Sequence, residues 1–154
     1  TILIQKKKNY YKMIKTIIHN NIQLAIIIKN NYKKDGIEFF TPNEYSQQLA
    51  YMSHKKGKKI DAHVHNRVTR DVHLTQEVLV IRKGKLRVDF YTQEQVYLES
   101  SILESGDVIL LAGGGHGFEV LEDLEMIEIK QGPYLGDEDK TRFEHISKEK
   151  LKIK

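Results

Sequence analysis

The sequence predicts an all-β fold, and three observations support the prediction. Short β-prone runs follow one another from residue 22 onward, turn residues separate them, and apolar and polar residues alternate within them. In the run 86–90 (LRVDF) the apolar residues fall on one face of a strand and the charged residues on the other. Many short strands at regular spacing are typical of a β-sandwich or a β-barrel. The predicted strands are 22–29, 36–40, 45–53, 60–65, 77–82, 86–91, 95–100, 107–111, 115–121 and 125–131.

The length of the chain predicts one domain. A chain of 154 residues can form one domain with a substantial core but is short for two. We expect the domain to span 1–154, with its barrel core at about 22–135, an extension at 1–20 and a solvated basic tail at 147–154. The extension is expected to be a helix or a frayed segment, because its apolar residues recur at helix spacing. These residues are Tyr10, Met13, Ile14, Ile17 and Ile18.

The distribution of charge argues against a nucleic-acid partner, although the whole chain has a net charge of +4. Residues 1–34 contain eight Lys and no acidic residue, and residues 146–154 contain four Lys and one Glu. The intervening residues 35–145 contain 13 Lys and Arg against 20 Asp and Glu, a net charge of −7. A nucleic-acid-binding domain would carry its basic patch on the folded body rather than at the ends of the chain.

The composition also restricts the location and the type of metal site. The longest apolar run, 24–28, is far shorter than the ~20 residues that a membrane-spanning helix needs. No secretory signal pattern is visible, so we expect a cytoplasmic protein that does not bind membranes. The chain has no Cys, and any metal ligands must therefore be His or carboxylate side chains.

Two ordered sets of residues carry the functional prediction. In the first, Gly57 precedes His63-Val64-His65, and Glu77 and Gly84 follow. His63 and His65 occupy positions i and i+2 of a predicted strand, so both imidazoles face the same side. In the second set, an apolar run and a glycine-rich corner lie between Gly106 and His116. Together, over about residues 45–131, the two sets resemble the two sequence motifs of the cupin superfamily.

The resemblance implies a fold, a metal site and a set of partners. The fold would be a single cupin double-stranded β-helix, a jelly-roll barrel, with short N- and C-terminal extensions. His63, His65, Glu77 and His116 would hold one divalent metal ion, and their N and O donors suit Fe, Mn, Zn, Ni or Co. Four protein ligands leave two open positions on an octahedral ion. The expected partners are a small-molecule ligand and a second copy of the chain in a homodimer.

The spacing of the first motif leaves the identity of one metal ligand undecided. Eleven residues separate His65 from Glu77, more than is common in cupins, and this insert contains His73 as a competing ligand. Glu77 is the preferred ligand, because it opens the apolar strand 78–81 and a carboxylate is costly to bury there without a partner.

Further site residues are expected on the faces that line the barrel interior or near its opening. Phe90, Phe118, Arg67 and Arg70 are candidate ligand-binding residues, with Lys130 or Tyr134 near the mouth. The two arginines would clamp a phosphate or carboxylate, although a solvated loop explains them equally well. Aromatic residues at such positions belong to the core more often than to a ligand-binding surface. Tyr51 or His73 is the expected acid–base group.

These residues predict a metal-binding protein that acts on, or binds, a small polar metabolite. A metal in the barrel would act as a Lewis acid, which suits an isomerase, an epimerase or a lyase acting on a sugar-related substrate. Two alternatives remain open at this level. One is an Fe(II) dioxygenase, since His and carboxylate ligands with open positions suit oxygen chemistry. The other is a small-molecule-binding protein without catalytic activity.

Overall fold

The computed structural model describes residues 13–154 and consists mostly of β-strands (46%), with almost no helix. The all-β prediction is therefore confirmed. The strands are β1 (Ile14–His19), β2 (Ile22–Ile28), β3 (Gly36–Phe39), β4 (Ala50–Ser53), β5 (Glu77–Tyr91), β6 (Tyr97–Glu104), β7 (Val108–Leu111) and β8 (Gly115–Lys130). Two short 3-10 helices follow, at Gly136–Asp139 and Lys148–Lys150.

The described residues form two compact units. One contains residues 13–32 and 74–154, and the other contains residues 33–73. In the second unit β3 pairs antiparallel with β4, with Gly36 opposite Ser53 and Phe39 opposite Ala50. Residues 54–73 contain no helix or strand.

The first unit is built on one antiparallel sheet with the strand order β1-β2-β7-β5-β6, and β8 pairs with β5 outside this path. The long strand β5 is central to it. The N-terminal end of β5 pairs with β7, its C-terminal half pairs with β6, and β8 runs along nearly its whole length.

The register of β5 requires the sheet to curl. Glu77, the first residue of β5, is opposite Leu111, and Tyr91, the last, is opposite Gly115. Only residues 112–114 connect Leu111 to Gly115, so these two Cα atoms are at most about 15 Å apart. A straight strand of this length would separate the ends of β5 by about 46 Å. The strand therefore bends strongly, and the sheet forms a half-barrel.

A bulged region in the middle of β5 permits the bend. The register between β5 and β8 shifts three times between Ile81 and Leu86. Gly84 lies within these shifts at φ +82°, and a Cβ atom there would lie 2.0 Å from the carbonyl oxygen of Asp123. Only glycine fits this close approach of two strands. The sequence predicts two separate strands at 77–82 and 86–91, and this is wrong, because Gly84 instead bends one continuous strand.

The core is formed by apolar side chains from most strands of the curled sheet. The largest fully buried side chains include Phe90, Leu79 and Ile109. The cluster joins apolar residues of β1, β2, β5, β6 and β7, and Phe118 and Leu124 of β8 pack against it. In 86–90 the apolar residues are buried as the alternation predicts, but the charged residues Arg87 and Asp89 are buried as well.

The N-terminal helix prediction is wrong for the part of it that the structure describes. Residues 14–19 form β1, which pairs antiparallel with β2 from Ile14 opposite Ile28 to His19 opposite Ile22. The β-branched isoleucines favour the extended conformation, and the backbone groups of β1 form hydrogen bonds with β2. Ile17 joins the core while Ile18 is 61% exposed. The remaining part of the predicted helix, up to residue 12, lies outside the described residues.

The predicted strand 60–65 is also wrong. Residues 60–65 have no regular secondary structure and are exposed. Alternation alone does not make a strand, because the backbone groups of a strand need a hydrogen-bonded neighbour.

The C-terminal residues 147–154 were expected to be a solvated tail; most of them are exposed, but the backbone near their end is hydrogen-bonded to the sheet. Ser100 of β6 donates its backbone N–H to the carbonyl of Lys152 and accepts from the N–H of Lys154, which forms a parallel bridge with Ile153. The hydroxyl of Tyr97 also accepts a hydrogen bond from the N–H of Lys152, at 2.8 Å. The backbone of Lys152 and Lys154 is thus bonded to β6, which the number of lysines in this segment did not indicate.

Candidate functional site

Glu77 and His116 lie together at one end of the curled sheet. Glu77 is the first residue of β5, and His116 is the second residue of β8, directly after the corner 112–114. The corner brings the start of β8 beside the start of β5, and Glu77 Oε2 lies 3.3 Å from His116 Nε2. The carboxylate is 12% exposed and the imidazole 30%, so the pair is shielded on the protein side and open to solvent on the other.

Lys130 reaches the same carboxylate from the other end of β8. It is directly opposite Glu77 in the β5–β8 register, and its Nζ lies 3.7 Å from Glu77 Oε1. The same ammonium lies 2.9 Å from Glu128. Because the sheet is curled, both ends of a 16-residue strand meet at one side chain.

The surroundings of Glu77 favour its ionised form. The hydrogen bond with His116 lowers the pKa of Glu77 below its ordinary value. Burial raises this pKa, but the hydrogen bond together with the charges of His116, Lys130 and Lys140 outweighs that effect. Glu77 is thus an ionised carboxylate, which is the form that a metal ion binds.

The two aromatic candidates lie in or beside the core. Phe90 is fully buried. Phe118 is half-buried, packs against the core and lies tilted on His116, with ring centroids 5.1 Å apart. Phe118 therefore supports the imidazole from the core side.

His63 and His65 belong to the unit 33–73. Both are exposed, and their rings meet edge to face with centroids 5.2 Å apart. His63 Nδ1 lies 3.0 Å from the carbonyl oxygen of Asp61. The two imidazoles are therefore neighbours although the segment is not a strand.

The other candidates in this unit are distributed along it. Tyr51 lies on β4 and is half-buried. Arg67 and Arg70 are exposed in the segment without regular structure. His73 is exposed and its Nε2 lies 3.1 Å from Asp71.

The arrangement supplies two pairs of donors. Among residues 13–154, no group of three or more His, Asp or Glu side chains is placed to hold a metal ion. The Glu77–His116 pair fits the chemistry of such an ion nonetheless. Two donors bound to one ion at about 2.1 Å lie about 3.0 Å apart at a right angle and about 3.4 Å apart at a tetrahedral angle. The observed separation of 3.3 Å falls in this interval.

Sequence reasoning did not identify Lys140, and it placed Lys130 near the site without a partner. The cross-strand pairing of Glu77 with Lys130 depends on three register shifts. Counting residues along the sequence does not reveal such shifts. The available signal was a charged residue, Lys130, near the end of the predicted strand 125–131.

Comparisons with protein-family models, with curated protein sequences and with solved structures gave no match. Within the described part of the chain, no helix has the length and hydropathy to cross a membrane.

Proposed function

We propose that this chain binds one divalent metal ion and uses it on, or to hold, a small polar metabolite. The Glu77–His116 contact carries the proposal. These two residues are 39 positions apart in the sequence and come from different sequence motifs, yet their donor atoms are 3.3 Å apart. A carboxylate and an imidazole at this separation are a suitable pair of ligands for a divalent transition metal.

His63 and His65 are the other ligands in this proposal. Their assignment depends on the sequence motif that resembles cupins, and the closeness of their two rings supports their acting together. The finer fold, a cupin jelly-roll barrel, belongs to the same proposal, and the strong curl of the sheet supports it.

Each residue of the proposed site would have a distinct role. Glu77 supplies charge to balance the cation, and Phe118 holds the imidazole of His116 in place. A bound metal ion would supply Lewis-acid chemistry, which polarises a carbonyl or hydroxyl group of the ligand. Isomerisation, epimerisation or elimination on a sugar-related molecule is the reaction class that this chemistry serves.

The test is a metal titration by calorimetry on the metal-free protein and a set of single-residue variants. We expect close to one ion per chain for the wild type. Replacing His63, His65 or His116 with Ala, or Glu77 with Gln, should each weaken binding at least about tenfold. His54, an exposed histidine outside both motifs, provides the matched control, and His54→Ala should bind as the wild type does.

Two outcomes would overturn the proposal. One is a wild-type chain that takes up no divalent metal. The other is a loss of affinity with His54→Ala as large as that with His63→Ala, since binding would then be non-specific. His73→Ala distinguishes the fourth ligand: if Glu77 is that ligand, the affinity of this variant should match the wild type.

A further inference from the structure

Several basic side chains act on the single carboxylate of Glu77. His116 lies 3.3 Å from one of its oxygens and Lys130 lies 3.7 Å from the other. The charge of Lys140 also acts on Glu77 and contributes to its low pKa. One ammonium group, that of Lys130, thus lies in contact with the carboxylate that is proposed to hold a metal ion.

Lys130 is placed by the fold rather than by a flexible loop. Its backbone is paired with Glu77 in the β5–β8 ladder, and its side chain is 26% exposed. The ammonium group can therefore contact both the carboxylate and a molecule that arrives from solvent.

Binding of a cation by Glu77 would release Lys130 from one of its two acidic partners. The other partner, Glu128, has a side chain that is 42% exposed. Ion pairs at such exposure contribute little, and an incoming anion competes with them readily. A lysine in this position is a point charge beside the metal, of the kind that proteins use to hold phosphate or carboxylate groups.

We propose that Lys130 binds an oxyanion group of the ligand, either a carboxylate or a phosphate. This inference rests on the proposed function, because it assigns a charged group to the small polar metabolite at the same site. It makes the metabolite an anion, with its oxyanion group next to the group that the metal contacts.

The competing explanation is that Lys130 only holds the two ends of the curled strand together through Glu77. The two explanations differ when the charge of Glu77 is removed. A structural lysine would then lose its partner and gain no ligand. An anion-binding lysine would become free to bind an added oxyanion.

The test uses metal-free protein and two probes, inorganic phosphate and acetate, followed by amide NMR shifts. The proteins are the wild type, Glu77→Gln, Glu77→Gln with Lys130→Gln, and Glu77→Gln with Lys85→Gln. Lys85 is the matched control, because it also lies on the β5–β8 pair and also contacts two glutamates, Glu122 at 2.9 Å and Glu104 at 3.5 Å. Thermal melting of each protein checks that it is folded.

We expect Glu77→Gln to bind at least one probe about tenfold more tightly than the wild type, as a charge-assisted contact to a freed ammonium predicts. Adding Lys130→Gln should abolish the gain, and adding Lys85→Gln should preserve it. The inference is overturned if Glu77→Gln shows no gain, if the gain survives Lys130→Gln, or if Lys85→Gln removes it equally. Because no metal is added, this result is independent of whether the chain takes up metal.

Discussion

Asp89 is fully buried, and its carboxylate is surrounded by hydrogen-bond donors. Arg87 Nε and Nη2 lie 2.8 and 3.0 Å from its two oxygens, and the hydroxyl of Ser100 donates to it at 2.5 Å. Arg87 is buried too and also contacts Glu119. A buried charge is stable only when it is paired in this way, so each partner depends on the other.

Replacing Asp89 with Asn should destabilise the protein by about 3 kcal/mol, because it leaves the guanidinium of Arg87 buried without its main counter-charge. The melting temperature should fall by about 10 °C for a chain of this size. Glu122→Gln removes one acid of an exposed ion pair with Lys85 and should leave the melting temperature nearly unchanged. Equal effects of the two substitutions would contradict the role given to Asp89.

Glu99 makes a contribution to stability that depends on pH. Burial raises the pKa of Glu99, but the hydrogen bonds and the charges of Lys154 and Lys15 together outweigh it and hold the pKa below its ordinary value. A lowered pKa in the folded state stabilises the protein above the pKa of the unfolded chain, and this contribution disappears as pH falls through the folded value. Urea unfolding between pH 6 and pH 3 should therefore show a steeper loss for the wild type than for Glu99→Gln. Parallel curves would show that Glu99 is not responsible.

At the scale of the element, the bend in β5 depends on Gly84. Gly84→Ala should destabilise the protein by two effects, a positive φ for alanine and a clash of its Cβ with the carbonyl of Asp123. Gly57 has a similar φ of +90° but no atom within 4 Å, so Gly57→Ala tests the first effect alone. We expect a loss of at most about 1 kcal/mol for Gly57→Ala and ~2 kcal/mol more for Gly84→Ala, measured by urea unfolding. A smaller loss at Gly84 than at Gly57 would mean that the close approach of the strands is unimportant.

The C-terminal residues act as an additional partner for β6. Deleting residues 148–154 removes two backbone hydrogen bonds to Ser100, the bond to the Tyr97 hydroxyl and the Lys154–Glu99 ion pair. The melting temperature should fall by about 5 °C, since each such hydrogen bond contributes on the order of 1 kcal/mol before the cost of ordering the segment. Tyr97→Phe, which removes one of these bonds, should give a smaller decrease. An unchanged melting temperature after the deletion would show that the segment is dispensable.

At the scale of the whole molecule, amide exchange should divide the chain according to its hydrogen bonding. The strands β5 and β7 should exchange slowly, because they are paired on both sides and contribute to the core. Residues 59–73, without regular structure and exposed, should exchange fast. Adding one equivalent of metal should slow exchange around His63 and His65 if they bind it. No change there, with metal bound, would remove these two residues from the proposed ligand set.

Local sequence patterns were sufficient to predict the fold class but not the bounds of every strand. Alternation in 86–90 and the glycine-containing turns correctly indicated strands and an all-β chain. The same kind of pattern wrongly predicted a strand at 60–65 and a break between two strands at 83–85. In both places the outcome depends on whether a neighbouring strand is present, and local sequence carries no information about that neighbour.

The sequence by itself determined the β-class of the chain and the candidate residues Glu77 and His116, because strand preference and side-chain chemistry are local properties. Only the tertiary structure decided that β5 bends, that Glu77 and His116 therefore lie in contact, and that Lys130 joins them from the far end of β8. It also decided that the basic C-terminal residues pack on β6. These features depend on hydrogen bonds and close approaches between residues far apart in the chain, which form only when the sheet is assembled.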